Sequence, residues 1–543
     1  MGAVTRGLAA CIIAAGCGGN DGTRTTAASA GGGLGGFGTD GGDGSTGGVS
    51  PDGDDTGDKL DVAGTAGAEG NAGDGHEDPC QEVAEAASNQ GCEFWAVDLP
   101  NVWASTHGNP PPEDQQFAVV VANTAGDVEA QVHIFAGASD QPVDAATVSV
   151  GGVHEFRLPA ASVPSQGNSV GMAYRIEADV PITAYQFQPL DNTTPVFSND
   201  ASLLFPSHVL GEAYTAVTGD SLMLTTDAGT SNAGAFVSVV ATEDGTTVDL
   251  YATASLYPGS TQVTLDRGEV ATFLSSGSVP GQVGDGNLSG SRVTADAPVA
   301  VFSGNVAALE PQPGQCCADH LEHQMLPMVA WGTAYLAAPA AAPSGAGTGD
   351  RSAFRITGVY DGTLLEYSPA APAGAPMTID AGQTLRFESS TPFSVRSLDP
   401  DKPISLTQFL LSNVFLAGPA GQPGDPAMIA LPAAAQFRDR YVFLVPAGYE
   451  ANYVTVYRPQ GEPILLDEQV VGGVTWHPGP LLEGAGWEYA HVPVGVGSHV
   501  IRTETEDVGF GIVSVGYSED VSYGYPGGSG VSVIAEPPPP PAG

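Results

Sequence analysis

Three short patterns recur along the chain, and they limit its architecture more than any single motif. The first is Phe117-Ala-Val-Val-Val, Phe236-Val-Ser-Val-Val, Phe354-Arg-Ile-Thr-Gly-Val and Tyr453-Val-Thr-Val-Tyr. The second is Pro181-Ile-Thr-Ala-Tyr-Gln-Phe, Pro298-Val-Ala-Val-Phe-Ser-Gly and Pro403-Ile-Ser-Leu-Thr-Gln-Phe, with a weaker copy at Gly509-Phe-Gly-Ile-Val-Ser-Val. The third follows each Pro-led stretch and ends in Leu210-Gly211-Glu-Ala-Tyr214, Trp331-Gly332-Thr-Ala-Tyr335 and Phe437-Arg-Asp-Arg-Tyr441. The copies lie about 100–120 residues apart, so four related units follow one another without linkers.

Each unit reads as β. In the third, AFRITGVYDGTLLEY gives two short strands around Asp361-Gly362, a hairpin signal. MTIDAGQTLRFES, TPFSVRSL and PISLTQFLL follow. Five to seven strands per roughly 105 residues predict an all-β fold of tandem antiparallel β-sandwich-like repeats. A large-bladed β-propeller is the alternative, since blades also recur with a return strand. The one helical candidate is Gln81–Ser88.

Around this body, residues 80–530, lie segments of different character. Residues 1–16 combine Arg6, a short apolar run from Leu8 to Ala15 and the small residues Ala14-Ala15-Gly16 before Cys17. That run is too short to span a bilayer. It resembles the signal peptide of bacterial lipoproteins and predicts lipidation at Cys17, export and anchoring to the outer membrane, at the cell surface. Residues 17–79 are rich in Gly and Asp with few apolar residues, and are expected to be a disordered tether. The Asp run at Asp52, Asp54, Asp55 and Asp58 lacks the complete calcium loop ending in a bidentate Glu. Residues 531–543 form a Pro-rich tail.

Charge excludes some functions. With 61 acidic and 16 basic side chains the net charge is −45, so phosphate backbones are repelled and nucleic acid is no partner. The acidic body suits a cationic ligand or calcium bridging, and calcium is the one cofactor candidate. Gly (74) and Pro (43) are abundant for two reasons: the tether, and the many turns of a short-stranded array.

Cys11 falls in the signal and Cys17 takes the lipid, leaving Cys80, Cys92, Cys316 and Cys317 in an oxidising compartment. Three pairings exist. Cys80–Cys92 with a vicinal Cys316–Cys317 is preferred, and cross-pairing stays open. The segment from Cys316 to Gln324 also gathers Asp319, His320, Glu322 and His323, the only weak candidates for metal ligands. Adjacent cysteines chelate one metal poorly, so no metal site is assigned. Gly167-Asn-Ser169-Val-Gly171 matches the nucleophile-elbow spacing, but a strand-like stretch follows where a helix is required. The acids Asp191, Asp200 and Asp319 recur near the ends of Pro-led strands and make a carboxylate hydrolase the alternative function. Trp95, Trp103, Trp331, Trp476 and Trp487 are read as packing residues.

The stretches GCEFWAVDL (Gly91–Leu99), QFAVVVAN (Gln116–Asn123), AYQFQPLDN with SNDASLLFP (Ala184–Pro206), CCADHLEHQMLP (Cys316–Pro327), GDPAM (Gly424–Met428) and VSYGYPGG (Val521–Gly528) resemble the IgGFc-binding protein N-terminal domain family. The resemblance covers nearly the whole body. It implies a surface binding or adhesion module with an extracellular protein or polysaccharide ligand, no catalysis, and no Fc-contact residues that carry over.

Overall fold

The computed structural model describes residues 78–106, 108, 110–159, 168–190, 198–276, 286–311, 318–343, 349–412 and 423–541. It is an all-β body. Among the described residues the one α-helix is α1 (Pro79–Glu85), and none is long and apolar enough to cross a membrane. Helix α1 starts two residues before the expected Gln81 because the Asp78 side chain accepts the Cys80 N–H (3.0 Å) with Pro79 in the first turn. A disulfide joins Cys80 to Cys92, tying α1 to the first strand.

Module 1 contains β1 (Gly91–Ala96), β2 (Ala118–Asn123), β3 (Ala130–Ala136), β4 (Pro142–Val148), β5 (Val153–Arg157), β6 (Ser169–Met172), β7 (Tyr174–Gln188) and β8 (Asp200–Leu203). Module 2 contains β9 (Gly211–Thr215), β10 (Leu222–Thr226), β11 (Gly229–Ala233), β12 (Ala235–Ala241), β13 (Thr246–Tyr251), β14 (Gln262–Leu265), β15 (Glu269–Leu274), β16 (Arg292–Ala308) and β17 (Asp319–Gln324). Module 3 contains β18 (Ala334–Ala337), β19 (Ser352–Gly358), β20 (Thr363–Ser368), β21 (Thr378–Ile379), β22 (Thr384–Ser389), β23 (Phe393–Ser397), β24 (Ile404–Phe409) and β25 (Met428–Leu431). Module 4 contains β26 (Arg440–Val445), β27 (Ala451–Pro459), β28 (Ile464–Leu466), β29 (Gln469–Val470), β30 (His477–Leu482), β31 (Ala485–Pro493), β32 (Gly497–Thr503), β33 (Gly511–Ser518) and β34 (Val521–Pro526).

Module 3 shows the plan most simply: one sheet in the order β18-β23-β20-β21, the other β22-β19-β24-β25. Module 4 repeats it with β26-β32-β28-β29 and β31-β27-β33-β34, the latter extended at its edge by β30. In modules 1 and 2 a single long strand serves both sheets. Residues 174–178 of β7 pair with β1 and β3, and residues 182–188 pair with β2 and β8. Strand β16 divides in the same way around Pro298. The recurrent proline explains the change of sheet: with no N–H it ends one ladder and lets the strand bend into the next.

Asp361-Gly362 is therefore not the turn of a hairpin. Strand β19 pairs with β22 and β24, whereas β20 pairs with β21 and β23. The turn carries the chain from one sheet to the other. Gly362 (φ 62°) and its module 2 counterpart Gly245 (φ 74°) supply the left-handed residue either geometry needs. The local signal is the same, and the pairing is decided by the return strand further along.

The third repeat has a structural cause. Tyr214 accepts the Gly211 N–H (2.9 Å) and donates to the Val299 carbonyl (2.7 Å). Tyr441 accepts from Arg438 (2.8 Å) and donates to Phe510 (2.6 Å), and Tyr335 donates to Ile404 (2.6 Å). Each hydroxyl thus fixes the entry of a module to the point where the chain passes into the inner sheet. Phe94 holds the corresponding place in module 1. Tyr441→Phe leaves a buried carbonyl and N–H without this partner, and is expected to lower stability by about 1–2 kcal/mol in denaturant unfolding.

The modules form a closed ring rather than an open array. The last strands, β8, β17, β25 and β34, lie at its centre, where β8 packs against β17 and β34, and β25 packs against the same two. Each shared core spans a junction. Phe94 and Ile134 belong to one core with Phe236 and Phe302, Val239 and Leu321 to one with Phe409 and Met428, and Phe354 and Ile429 to one with Tyr457 and Tyr517. Tyr185 and Phe187 of module 1 meet Tyr523 and Tyr525 of module 4, which closes the ring. The Tyr185 and Tyr525 rings lie 5.0 Å apart, and Asn89 exchanges hydrogen bonds with Ser529 at the same seam. Sandwich and propeller features thus coexist: each module has two sheets, and the inner sheets radiate from a common centre.

Candidate functional site

The inner strands carry an unusual set of polar residues into the centre. Asp200 opens β8, Asp319 opens β17, and Asp425 lies just before β25, all essentially without solvent exposure. Asp200 accepts N–H groups from Ala201 (2.9 Å), Glu322 (3.1 Å) and Met428 (3.3 Å), so one carboxyl joins three modules. Asp319 accepts from Asn199 (2.5 Å) and His320 (2.8 Å), and the Asn199 amide donates to the Tyr449 hydroxyl (2.5 Å). The Asp425 N–H donates to Ser522 Oγ (2.7 Å). Both Asp425 carboxyl oxygens, Asp319 Oδ2 and Asn199 Oδ1 are buried without a hydrogen-bond partner among the described residues.

Burial pushes all three aspartates well above the ordinary carboxylate range, and the Asp319 carboxyl is raised further by Asp425. Neutral carboxylic acids are the consistent state, because an unpaired carboxylate in this interior carries a large desolvation cost.

The pleat of β17 separates the four weak metal candidates. His320 and Glu322 lie on one side, Asp319 and His323 on the other. Glu322 accepts from the Gln186 amide (3.1 Å) and faces His320 Nε2 at 3.4 Å, while the His320 ring stacks on Phe236. Burial holds both imidazoles down to about 3, so they are neutral. Among the described residues no three His, Cys, Asp or Glu side chains converge to hold a metal ion. The arrangement is a fastening: it has no solvent-exposed acid, base or nucleophile, and its chemistry is hydrogen bonding between modules.

The signs for pH dependence oppose one another. A carboxyl raised in the folded state keeps its proton when the unfolded chain has lost its own, so it lowers stability as pH rises above about 4. A depressed histidine does the reverse between about 6.5 and 3. Above about pH 6.5 the histidines are silent and the acids act alone. Stability is therefore expected to fall with rising pH there, and Asp425→Asn to make the slope shallower by up to about 1.4 kcal/mol per pH unit. Unfolding free energies of both proteins across this range check it; parallel slopes would count against a protonated Asp425.

The remaining candidates are placed as follows. Cys17, Cys316, Cys317 and Asp191 lie outside the described residues. Ser169 sits in β6, which adds to the edge of module 2 beside β15, with no helix behind it. The buried Trp95 donates to Ser207 Oγ (3.1 Å), Trp476 lies under the Arg458 guanidinium, and Trp487 packs on Phe437. Open concavities are also present among the described residues. One, of about 590 Å³, lies between modules 3 and 4 beside the Glu366–Arg396 ion pair, Tyr367 and Leu481. Another lies along the proline-rich segment. Sequence alone does not mark Asn199, Asp425 or Tyr449 as site residues: the first two lie in stretches that carry the family resemblance, and Tyr449, between β26 and β27, carries no local signal.

Known proteins add the following. The family model for IgGFc binding protein matches residues 200–516, more than half of the chain, from the start of β8 into β33. The human IgGFc-binding protein is 27% identical over 255 residues, which is 46% of this chain and 4% of the human protein. This chain therefore spans a small part of that relative's length. No solved structure matches it.

Proposed function

The chain belongs to the IgGFc-binding protein family, and on that premise we propose that it is an exported, lipid-anchored binding or adhesion protein that captures an extracellular protein and does no chemistry on it. The family match carries this reading; the human relative's name states that it binds the Fc part of IgG. The fold supports it, since a closed ring with buried polar fastenings offers rigid edges and loops for recognition. Asp200 and Asp319, two of the three acids behind the hydrolase reading, are engaged in fastening the inner strands. A polysaccharide ligand is the second class of ligand.

Immobilised full-length chain tested against IgG Fc, a panel of extracellular proteins and a panel of polysaccharides separates these. Saturable retention of a protein that elutes intact is expected. Retention of glycans alone would move the ligand class, and fragments in the eluate would return the hydrolase. Anchoring is tested separately: a fatty-acid analogue should label the chain in cells and fail on Cys17→Ala, whereas persistent labelling would remove the anchor.

A further inference from the structure

The segment after β34 runs along the body, using the connections between modules as handholds. The Val531 N–H donates to the Ala87 carbonyl (2.7 Å). The Gln436 side chain takes both the N–H and the carbonyl of Ser532 (3.1 and 2.9 Å), and the Ile534 N–H donates to the Val329 carbonyl (2.7 Å). Glu536 and Pro537–Pro541 follow.

Prolines have no N–H, so a proline run can be held through its carbonyls and ring faces alone. The groove supplies what such a run needs. The Tyr360 hydroxyl donates to the Glu536 carbonyl (3.1 Å), and the Arg292 guanidinium donates to the Pro538 carbonyl, two residues on. Pro298, Pro327 and Val329 line one flank of the run, and Val359 and Tyr360 the other. With the tail in place Arg292 is only 7% exposed, and its guanidinium is turned to the tail.

We propose that this groove is a recognition site for polyproline II segments, that Glu536–Pro541 fills it in cis, and that its partner is a proline-rich segment of another protein that displaces the tail. A polyproline II helix has three residues per turn, no internal hydrogen bonds and outward carbonyls, so it reaches such donors at little ordering cost. The tail acts as a tethered competitor, present at roughly millimolar effective concentration.

The test uses the full chain with Pro537, Pro538, Pro539 and Pro540 replaced by Ser, and a fluorescent peptide with the sequence of residues 535–541. Fluorescence anisotropy should show saturable binding to this variant, and apparent binding to the unaltered chain at least about tenfold weaker. Adding Tyr360→Phe to the serine-tail variant should weaken the peptide several-fold. A serine-tail chain that unfolds at the same temperature as the parent yet binds no peptide would overturn the proposal. So would equal affinity with and without the Tyr360 hydroxyl.

Discussion

Arg355→Met should be the most damaging single change of charge in the body, lowering stability by about 3–5 kcal/mol. Arg355 rises from β19 in module 3 and is 3% exposed. Its guanidinium meets Glu310 of module 2 at 3.2 Å, bonds the Thr218 carbonyl, and lies over the Phe409 ring at 4.5 Å. Arg386 binds the other Glu310 oxygen. Even with two arginines beside it, burial keeps the Glu310 carboxyl above its usual range. Without Arg355 that carboxyl is left with one partly exposed partner, and it must either neutralise or stay ionised at high cost. Because the harm comes from the orphaned acid, Arg355→Met with Glu310→Leu should be less destabilised than Arg355→Met alone. Denaturant unfolding of both variants decides it. A single variant within about 1 kcal/mol of the parent would show that the pair does not join modules 2 and 3.

Asp200→Ala is the second large effect expected, about 3 kcal/mol or more, because it removes an acceptor shared by buried N–H groups of three modules. Asp200→Asn should lose less than half as much. The native carboxyl is held neutral by burial, and an amide oxygen can still face Glu322 and Met428. Comparable losses in the two variants would mean that a charge, not an acceptor, is what the centre requires.

The modules themselves are legible because their repeats record physical necessities. Pro181, Pro298 and Pro403 mark the change of sheet, and Tyr214, Tyr335 and Tyr441 mark the hydroxyl that pins it. What local patterns do not carry is pairing at long range. Asp361-Gly362 has the composition of a hairpin turn, but β19 and β20 are claimed by β24 and β23, beyond the reach of a turn signal. Ring closure is more remote still, since Asn89 and Ser529 meet across almost the whole body. Asp200 and Asp319 read as candidate catalytic acids because sequence gives their chemistry but not their burial. Asp425 and Asn199 gain meaning only when four inner strands converge. The Pro-rich tail gives no strand signal because prolines cannot join a ladder; its carbonyls can still be bound.

Four repeats that close into a ring must meet at the seam between modules 1 and 4. Ser88 and Gly530 form an antiparallel bridge there, and the Asn89 and Ser529 N–H groups are each bonded across it. Native-state hydrogen exchange should find both amides protected about as long as those of the inner strands. Rapid exchange of both in a folded chain, with the Cys80–Cys92 linkage intact, would mean that the modules stand in an open row and that the ring is wrong.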